Sequence, residues 1–88
     1  MNLYLLDGTD MPDKETAYRV IAQTMRFPEW FGNNLDALAD CLGEMRRDSV
    51  VIFRSTAAVV ESMGGYGEKL LACFRELAAQ VGFQLIEL

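Results

Sequence analysis

The feature that most constrains the fold is a continuous apolar, β-branched run from Ser49 to Phe53. A run without alternation of apolar and polar residues is typical of a strand covered on both faces, as in a parallel sheet. Two further strands are predicted near the ends of the chain, from Asn2 to Leu6 and from Phe83 to Leu88. Because parallel strands require long crossover connections, usually helices, the intervals between these strands should be helical.

Two helices are predicted in the first interval. Pro12, with Asp13 and Glu15 in the first turn, predicts a helix that reaches about Arg26. The second helix follows a loop, with Asn33 as the expected N-cap residue. It should end near Gly43, where a left-handed conformation is expected.

Two more helices are predicted in the second interval. Ser55 or Thr56 could cap a short helix that runs through Glu61. The segment from Glu68 to Val81 has the strongest helical pattern in the chain and ends before Gly82. The glycine-rich stretch 63–67 between them is predicted to be a loop. It is not expected to bind phosphate, because it lacks the Lys-Ser/Thr pair of a phosphate-binding loop.

These elements define one expected architecture. Their order is β-α-α-β-α-α-β, with parallel strands and right-handed connections. The fold class is therefore α/β, with a small three-stranded parallel sheet and about four helices. With 88 residues and no linker or repeat, the chain is expected to form one domain, 1–88.

The second predicted helix carries an unusual acidic face. Asp36, Asp40 and Glu44 recur every four residues, opposite an apolar stripe. Like charges at this spacing destabilise a helix by about 0.2–0.5 kcal/mol per pair. Asp36 can be explained by the positive field of the helix N-terminus, but Asp40 has no such local reason. The stripe consists of Leu35, Leu38, Ala39 and Leu42.

A solvated helix face is the ordinary explanation for such carboxylates, but two neighbouring features favour a binding surface. No Lys or Arg occurs in the segment 27–45, so much of the net charge of −5 is concentrated there. Trp30 and Phe31, two aromatic residues of the type found on exposed surfaces, lie just upstream, and the sequence leaves both an exposed and a packed position open for Trp30. Aromatic anchors beside an unneutralised acidic face suit a basic protein partner. Direct binding of nucleic acid is disfavoured, because it requires a basic surface.

Composition also argues against catalysis and against cofactors. The chain has no histidine, the side chain that titrates nearest neutrality and the commonest metal ligand. Cys41 and Cys73 lack a neighbouring base and lack Cys-x-x-Cys spacing, so both are expected to be buried free thiols. One helix face cannot wrap a metal ion with Asp36, Asp40 and Glu44. We therefore expect a binding module without cofactor or metal.

The sequence also indicates where in the cell the protein is located. The first six residues lack the basic start of a secretory signal and are followed at once by Asp7. No apolar run approaches the length of about 20 residues that spans a membrane. These features predict a cytoplasmic protein without membrane contact.

The stretch from Pro28 to Leu42 resembles the recognition loop and second helix of the barstar family. The shared pattern is Pro-Glu-aromatic-aromatic-Gly-x-Asn-Leu-Asp-Ala-Leu-x-Asp-Cys-Leu, and Phe74-Arg75-Glu76 extends the likeness to the last helix. Members of this family are intracellular inhibitors of barnase-type ribonucleases. The resemblance implies that this chain plugs the basic active site of a secreted ribonuclease, with carboxylates in place of RNA phosphates.

The resemblance also implies roles for individual residues. Asp40 would enter the phosphate site, with Asp36 as its helical neighbour. Trp30 would stack over the mouth of the enzyme, and Glu76 would reach a basic side chain at the rim. The partner-binding residues implied in this way are Trp30, Gly32, Asn34, Leu35, Asp36, Asp40, Gly43, Met45 and Glu76.

Two residues depart from the family pattern. Ala39 and Met45 stand where the archetype of the family has tryptophans. Both side chains are smaller than tryptophan, so contact area at the binding surface is lost. A second hypothesis therefore stays open: a barstar-like interaction module that binds a different basic toxin or a partner that is not a nuclease.

Overall fold

A three-stranded parallel sheet with four helices forms the structure, a computed structural model that describes residues 2–88. Met1, the first residue of the predicted domain, lies outside the described residues. The fold class predicted from the sequence is confirmed. In chain order the elements are β1 (Leu3–Asp7), a 3-10 turn (Gly8–Asp10), α1 (Lys14–Met25), α2 (Leu35–Gly43), β2 (Val50–Arg54), α3 (Thr56–Met63), α4 (Gly65–Val81) and β3 (Gln84–Glu87).

All four helices cover one face of the sheet. The strand order is β1-β2-β3, so both crossovers step across the sheet in the same direction. Right-handed crossovers that step in one direction place their helices on one side. Burial alternates accordingly along β2, where Val51 and Phe53 are buried while Val50 and Ile52 are only partly buried. The prediction that this strand is covered on both faces is therefore wrong.

The other face of the sheet is apolar and open to solvent. Leu3 is paired with Val50, and Leu5 is paired with Ile52, so these side chains share that face. Leu3 and Leu5 are 56% and 60% exposed. The continuous apolar run in β2 therefore reflects this open face as well as the core.

The core lies between the sheet and the helices. Phe53 of β2 meets Phe74 of α4 edge to face, with ring centroids 5.3 Å apart. Tyr18 of α1 is 1% exposed, and its hydroxyl bonds that of Tyr66 on α4. Burial and this hydrogen bond to Tyr66 raise the pKa of Tyr18 far above its usual value, so the phenol stays neutral. These contacts join α1 and α4 across the helical layer.

Helix α4 begins earlier than the sequence predicts. The stretch 63–67 is not a loop, because Gly64 alone separates α3 from α4 and Gly65 and Gly67 are helical. Gly64 has φ of +58°, a conformation that favours glycine. At Gly67 a Cβ atom would lie 2.5 Å from the carbonyl oxygen of Val59. The absent side chain at this position lets α3 and α4 pack closely.

Two carboxylates, one near each end of the chain, stabilise the structure by accepting hydrogen bonds. Asp13 caps α1 by accepting from the Thr16 N–H at 2.8 Å. Glu87 of β3 accepts from both the Nε and an Nη of Arg75 on α4, at 2.9 and 2.7 Å. These bonds lower the pKa of Asp13 and of Glu87 below their ordinary values. The Glu87 pair ties the last strand to the last helix.

Gly67→Ala should lower the free energy of unfolding by about 2 kcal/mol, because α3 and α4 must move apart to admit the methyl group. Gly65→Ala is the matched control, since nothing lies within 4 Å of the position a Cβ would take. That change should leave stability equal or raise it by about 0.5 kcal/mol. Urea unfolding of both variants measures the difference, and equal effects would contradict the close packing.

Acidification should destabilise the protein through the pKa values of Asp13 and Glu87. Since both folded pKa values lie below the ordinary 3.8 for Asp and 4.5 for Glu, the contribution is fully present above those values. It is lost as pH falls through the lower, folded values. Thermal unfolding as a function of pH measures this loss. Glu87→Gln should slightly reduce the loss of stability at low pH, and an unchanged pH dependence in this variant would contradict the contribution of Glu87.

Candidate functional site

The loop before α2 separates its two aromatic residues. Phe31 is 8% exposed and packs on Tyr18 and Phe27, with ring centroids 5.9 and 5.1 Å away. Its N–H donates to the Pro28 carbonyl at 2.9 Å, which closes the turn. Trp30 is 80% exposed. The interpretation of both as aromatics of the exposed type is thus wrong for Phe31, which anchors the loop, whereas Trp30 is the exposed one of the two.

The start of α2 is fixed by Asn34 rather than by Asn33. The Asn34 side chain accepts from the Ala37 N–H at 2.8 Å and donates to the Gly32 carbonyl at 3.2 Å. Asn33 has φ of +52°, which turns the chain into the helix. The N-cap predicted from the sequence was therefore one residue too early, and Asp36 is the second residue of the helix. Asn34 and Gly32, both predicted to line the contact, are exposed and also shape the loop through this hydrogen bond.

Helix α2 lies with one face on the core and the other in solvent. Leu38 and Leu42 are fully buried, while Asp36, Asp40 and Glu44 are exposed. Within residues 2–88, the ion pairs are Arg46–Asp48 and Arg75–Glu87, so no basic side chain of that range neutralises the three carboxylates. The acidic face predicted from the sequence is therefore present and available to bind cations.

A cavity of about 260 Å³ opens between Trp30 and α2. Its lining is mostly apolar, and two carboxylates, those of Asp40 and Glu44, are among the lining groups. Burial, followed by the negative charges of Glu44 and Asp40, raises the pKa of the Cys41 thiol beneath it. Sequence reasoning placed Glu44 on the acidic face but missed it as a site residue. The lining residues are Trp30, Phe31, Gly32, Ala37, Asp40, Cys41 and Glu44.

A groove of about 310 Å³ lies on the other side of α2, against α4. It brings Leu35 and Glu76, two predicted site residues from different helices, to one surface. Ala39 contributes to its base, so the small residue there leaves open space. Burial raises the pKa of Cys73, which also lines this groove, to about 11. The complete lining is Leu35, Ala39, Lys69, Ala72, Cys73, Glu76 and Leu77.

Met45 and Gly43 are predicted site residues that line neither the Trp30 cavity nor the groove against α4. Met45 is partly buried and lines a cavity of about 230 Å³ that also includes Tyr4 and Met25. Gly43 is the last residue of α2, and a Cβ there would lie 3.8 Å from Leu77 Cδ1 on α4. Its φ is not positive, so the expected left-handed end of this helix is wrong. Glu44 occupies the cap position with φ of −96°.

The described residues, 2–88, contain neither a candidate metal site nor a candidate membrane-spanning helix. In the part of the chain that the structure describes, no group of three potential metal ligands lies close together. Across residues 2–88, no helix is both long enough and apolar enough to cross a membrane.

The fold and this surface define a small α/β protein that presents an acidic helix and an exposed tryptophan side by side. A sequence model of the family described as "Barstar (barnase inhibitor)" matches residues 1–88. The chain therefore belongs to the barstar family. It is also similar to a protein of Bacillus subtilis (strain 168) named "Putative ribonuclease inhibitor YrdF", with 27% identity over 77 residues, which cover 86% of this chain and 85% of that protein.

The two aromatic residues of the loop should respond differently to truncation. Phe31→Ala should lower the free energy of unfolding by about 3 kcal/mol, because it removes a buried ring that contacts Tyr18 and Phe27. Trp30→Ala should leave stability within about 0.5 kcal/mol of the parent. Chemical denaturation followed by circular dichroism tests both, since the signal does not depend on the lost tryptophan. A large loss for Trp30→Ala would contradict its exposure.

Proposed function

We propose that this protein inhibits a ribonuclease of barnase type by covering the enzyme's basic active site with the exposed face of α2. The observation that carries the proposal is the acidic face itself. Asp36 and Asp40 are exposed on α2 and Glu44 is exposed at its C-cap, and no basic side chain within residues 2–88 forms an ion pair with them. A surface of this kind is complementary to a groove that binds RNA phosphates.

Within this proposal, Asp40 acts as the phosphate substitute. It lies at the edge of the Trp30 cavity, where an arginine of the enzyme can donate two hydrogen bonds to one carboxylate. Trp30 covers the mouth of the active site, while Asp36 and Glu76 contact its basic rim. The protein acts by binding rather than by catalysis. It works in the cytoplasm as an immunity protein and protects the producing cell from its own secreted enzyme.

Membership of the family supports this role, and so does the similarity to a protein named as a ribonuclease inhibitor. A second candidate function is favoured by the open groove at Ala39. Because a small side chain stands there, complementarity to one particular ribonuclease does not follow. A barstar-like module that binds another basic toxin, or a basic partner that is not a nuclease, would keep the same acidic face.

Asp40→Ala should weaken inhibition of a barnase-type ribonuclease by about 30-fold or more. Truncation of one member of a buried, hydrogen-bonded charge pair typically costs about 2–5 kcal/mol, and the lower end corresponds to about 30-fold in affinity. The barnase–barstar pair is itself among the systems behind such figures, and its largest losses are greater. The inhibition constant at low and moderate salt measures the effect. The parent association rate should fall about ten-fold as salt rises from about 0.01 to 0.1 M, because screening shortens the reach of the acidic face.

Asp10→Ala is the matched control, since Asp10 is an exposed carboxylate in the 3-10 turn after β1 and is not part of α2. Glu87→Ala also removes an acidic residue away from α2, but it breaks the pair with Arg75 and therefore needs a stability measurement beside it. Equal losses for the Asp40, Asp10 and Glu87 variants would overturn the proposal. Absence of inhibition by the parent, together with binding of a basic protein without ribonuclease activity, would favour the second candidate.

A further inference from the structure

Three of the four large hydrophobic side chains that are exposed within residues 2–88 lie on the sheet face without helices, here called the open face. Leu3 and Leu5 are 56% and 60% exposed. Leu88 is 68% exposed, and its N–H donates to the Phe53 carbonyl at 3.0 Å, so Leu88 continues the alternation of β3 on this side. Apolar side chains gathered on one exposed surface mark an interaction site. The six apolar residues of the open face are Leu3, Leu5, Val50, Ile52, Ile86 and Leu88.

The register of the sheet places an unbroken apolar row across the middle of the open face. Leu5 pairs with Ile52, and Ile52 pairs with Ile86. Ile52 is therefore the middle residue of the middle strand. A dimer with two-fold symmetry uses the same patch on both copies, so the patch must be complementary to itself. When two such sheets cover each other fully, Ile52 of one copy lies against Ile52 of the other, whichever way the strands run.

Charge favours a second copy of this chain over a charged partner. Asp7 and Arg54 are in register at the carboxyl end of the open face, and their charges cancel. Much of the net charge of −5 lies instead on the acidic face of α2, which is on the helical side of the molecule. Two copies joined through their sheets have these acidic faces on opposite outer sides, separated by both molecules. Since the Debye length is about 8 Å at physiological salt, the repulsion between them is screened.

The size of the open face indicates a reversible dimer rather than an obligate one. At the ordinary spacing and rise of strands, three strands of four or five residues cover about 240 Å². The molecule extends 30 × 29 × 18 Å, so the short axis crosses its two layers and the broad side around the sheet adds to the contact. A standard interface takes about 800 Å² from each partner. The sheet thus supplies the apolar centre of a contact that is at most of standard size.

We propose that the open face is a self-association surface, through which two copies of this chain form a reversible dimer with two-fold symmetry. Their sheets pack face to face at about 10 Å, and the side chains around Ile52 interdigitate. Burial of the exposed leucines supplies the driving force. Trp30 and the acidic face of α2 stay in solvent on both copies, so this inference does not rest on the proposed function.

Sedimentation equilibrium of the full chain tests the proposal, over protein concentrations from about 1 µM to about 1 mM. We expect a transition from the mass of one chain to the mass of two, with a midpoint of about 100 µM, as for contacts at the small end of specific interfaces. The midpoint should not rise when salt is increased to about 0.5 M, because apolar burial is not screened. A protein that stays monomeric throughout would overturn the proposal.

Charge at the centre of the open face should abolish association and then restore it. Ile52→Lys or Ile52→Glu alone places like charges against each other and should weaken the dimer about 100-fold. A mixture of the two variants should recover dimers, because lysine then meets glutamate. Trp30→Ala is the matched control, since it removes the exposed large hydrophobic residue that lies away from the sheet. Its midpoint should equal the parent's.

A second variant covers the case in which charge at Ile52 prevents folding. Leu3→Gln combined with Leu5→Gln alters two residues that are more than half exposed, so stability should stay close to the parent's in urea unfolding. Association should weaken about ten-fold. Dimers that are unaffected by the double variant, or by folded Ile52 variants, would overturn the proposal and indicate pairing of edge strands instead. Failure of the mixed lysine and glutamate variants to associate would also overturn it.

Discussion

The handedness of the crossovers is the constraint on which the rest of the structure depends. Because β1, β2 and β3 follow one another in one direction, right-handed connections place all four helices on the same face. The helices must then share a single layer, where α2 packs on α4 and α4 packs on α3. Leu38 and Leu42 of α2 pack into this layer, so the opposite face of the helix is exposed to solvent. The location of the acidic surface thus follows from topology.

The same layer explains why glycine, rather than a larger residue, lies between the last two helices. Four helices over three short strands leave little space, and α4 must cross close to α3. Gly67 makes that approach possible at the Val59 carbonyl. A helix that begins among glycines would be weak by propensity alone. It forms because packing of Leu70, Phe74 and their neighbours outweighs the local preference, as is usual for helices in proteins.

The sequence was sufficient to predict the sheet, the four helices and the acidic face, because each has a periodic pattern along the chain. It was insufficient where two equivalent local choices existed. Asn33 and Asn34 are both good cap residues, and only the bond from Ala37 N–H to Asn34 distinguishes them. Phe31 and Trp30 are both aromatic neighbours in a loop, and their opposite burial depends on Tyr18, far away in sequence. Glu44 could not be recognised as a cavity residue before the position of Trp30 was known.

The two departures from the family pattern change how the surface can recognise a partner. A tryptophan provides broad contact area that tolerates few orientations, whereas Ala39 leaves a groove and Met45 is partly withdrawn into another cavity. Under the proposed function, recognition depends more on Trp30 and on the carboxylates of the acidic face, which form no ion pair with the basic side chains of residues 2–88. Charge complementarity mainly raises association rates and excludes wrong partners, while buried contact area mainly slows dissociation. A protein with this surface should therefore find a basic partner quickly but needs that partner to fill the groove at Ala39 if the complex is to last.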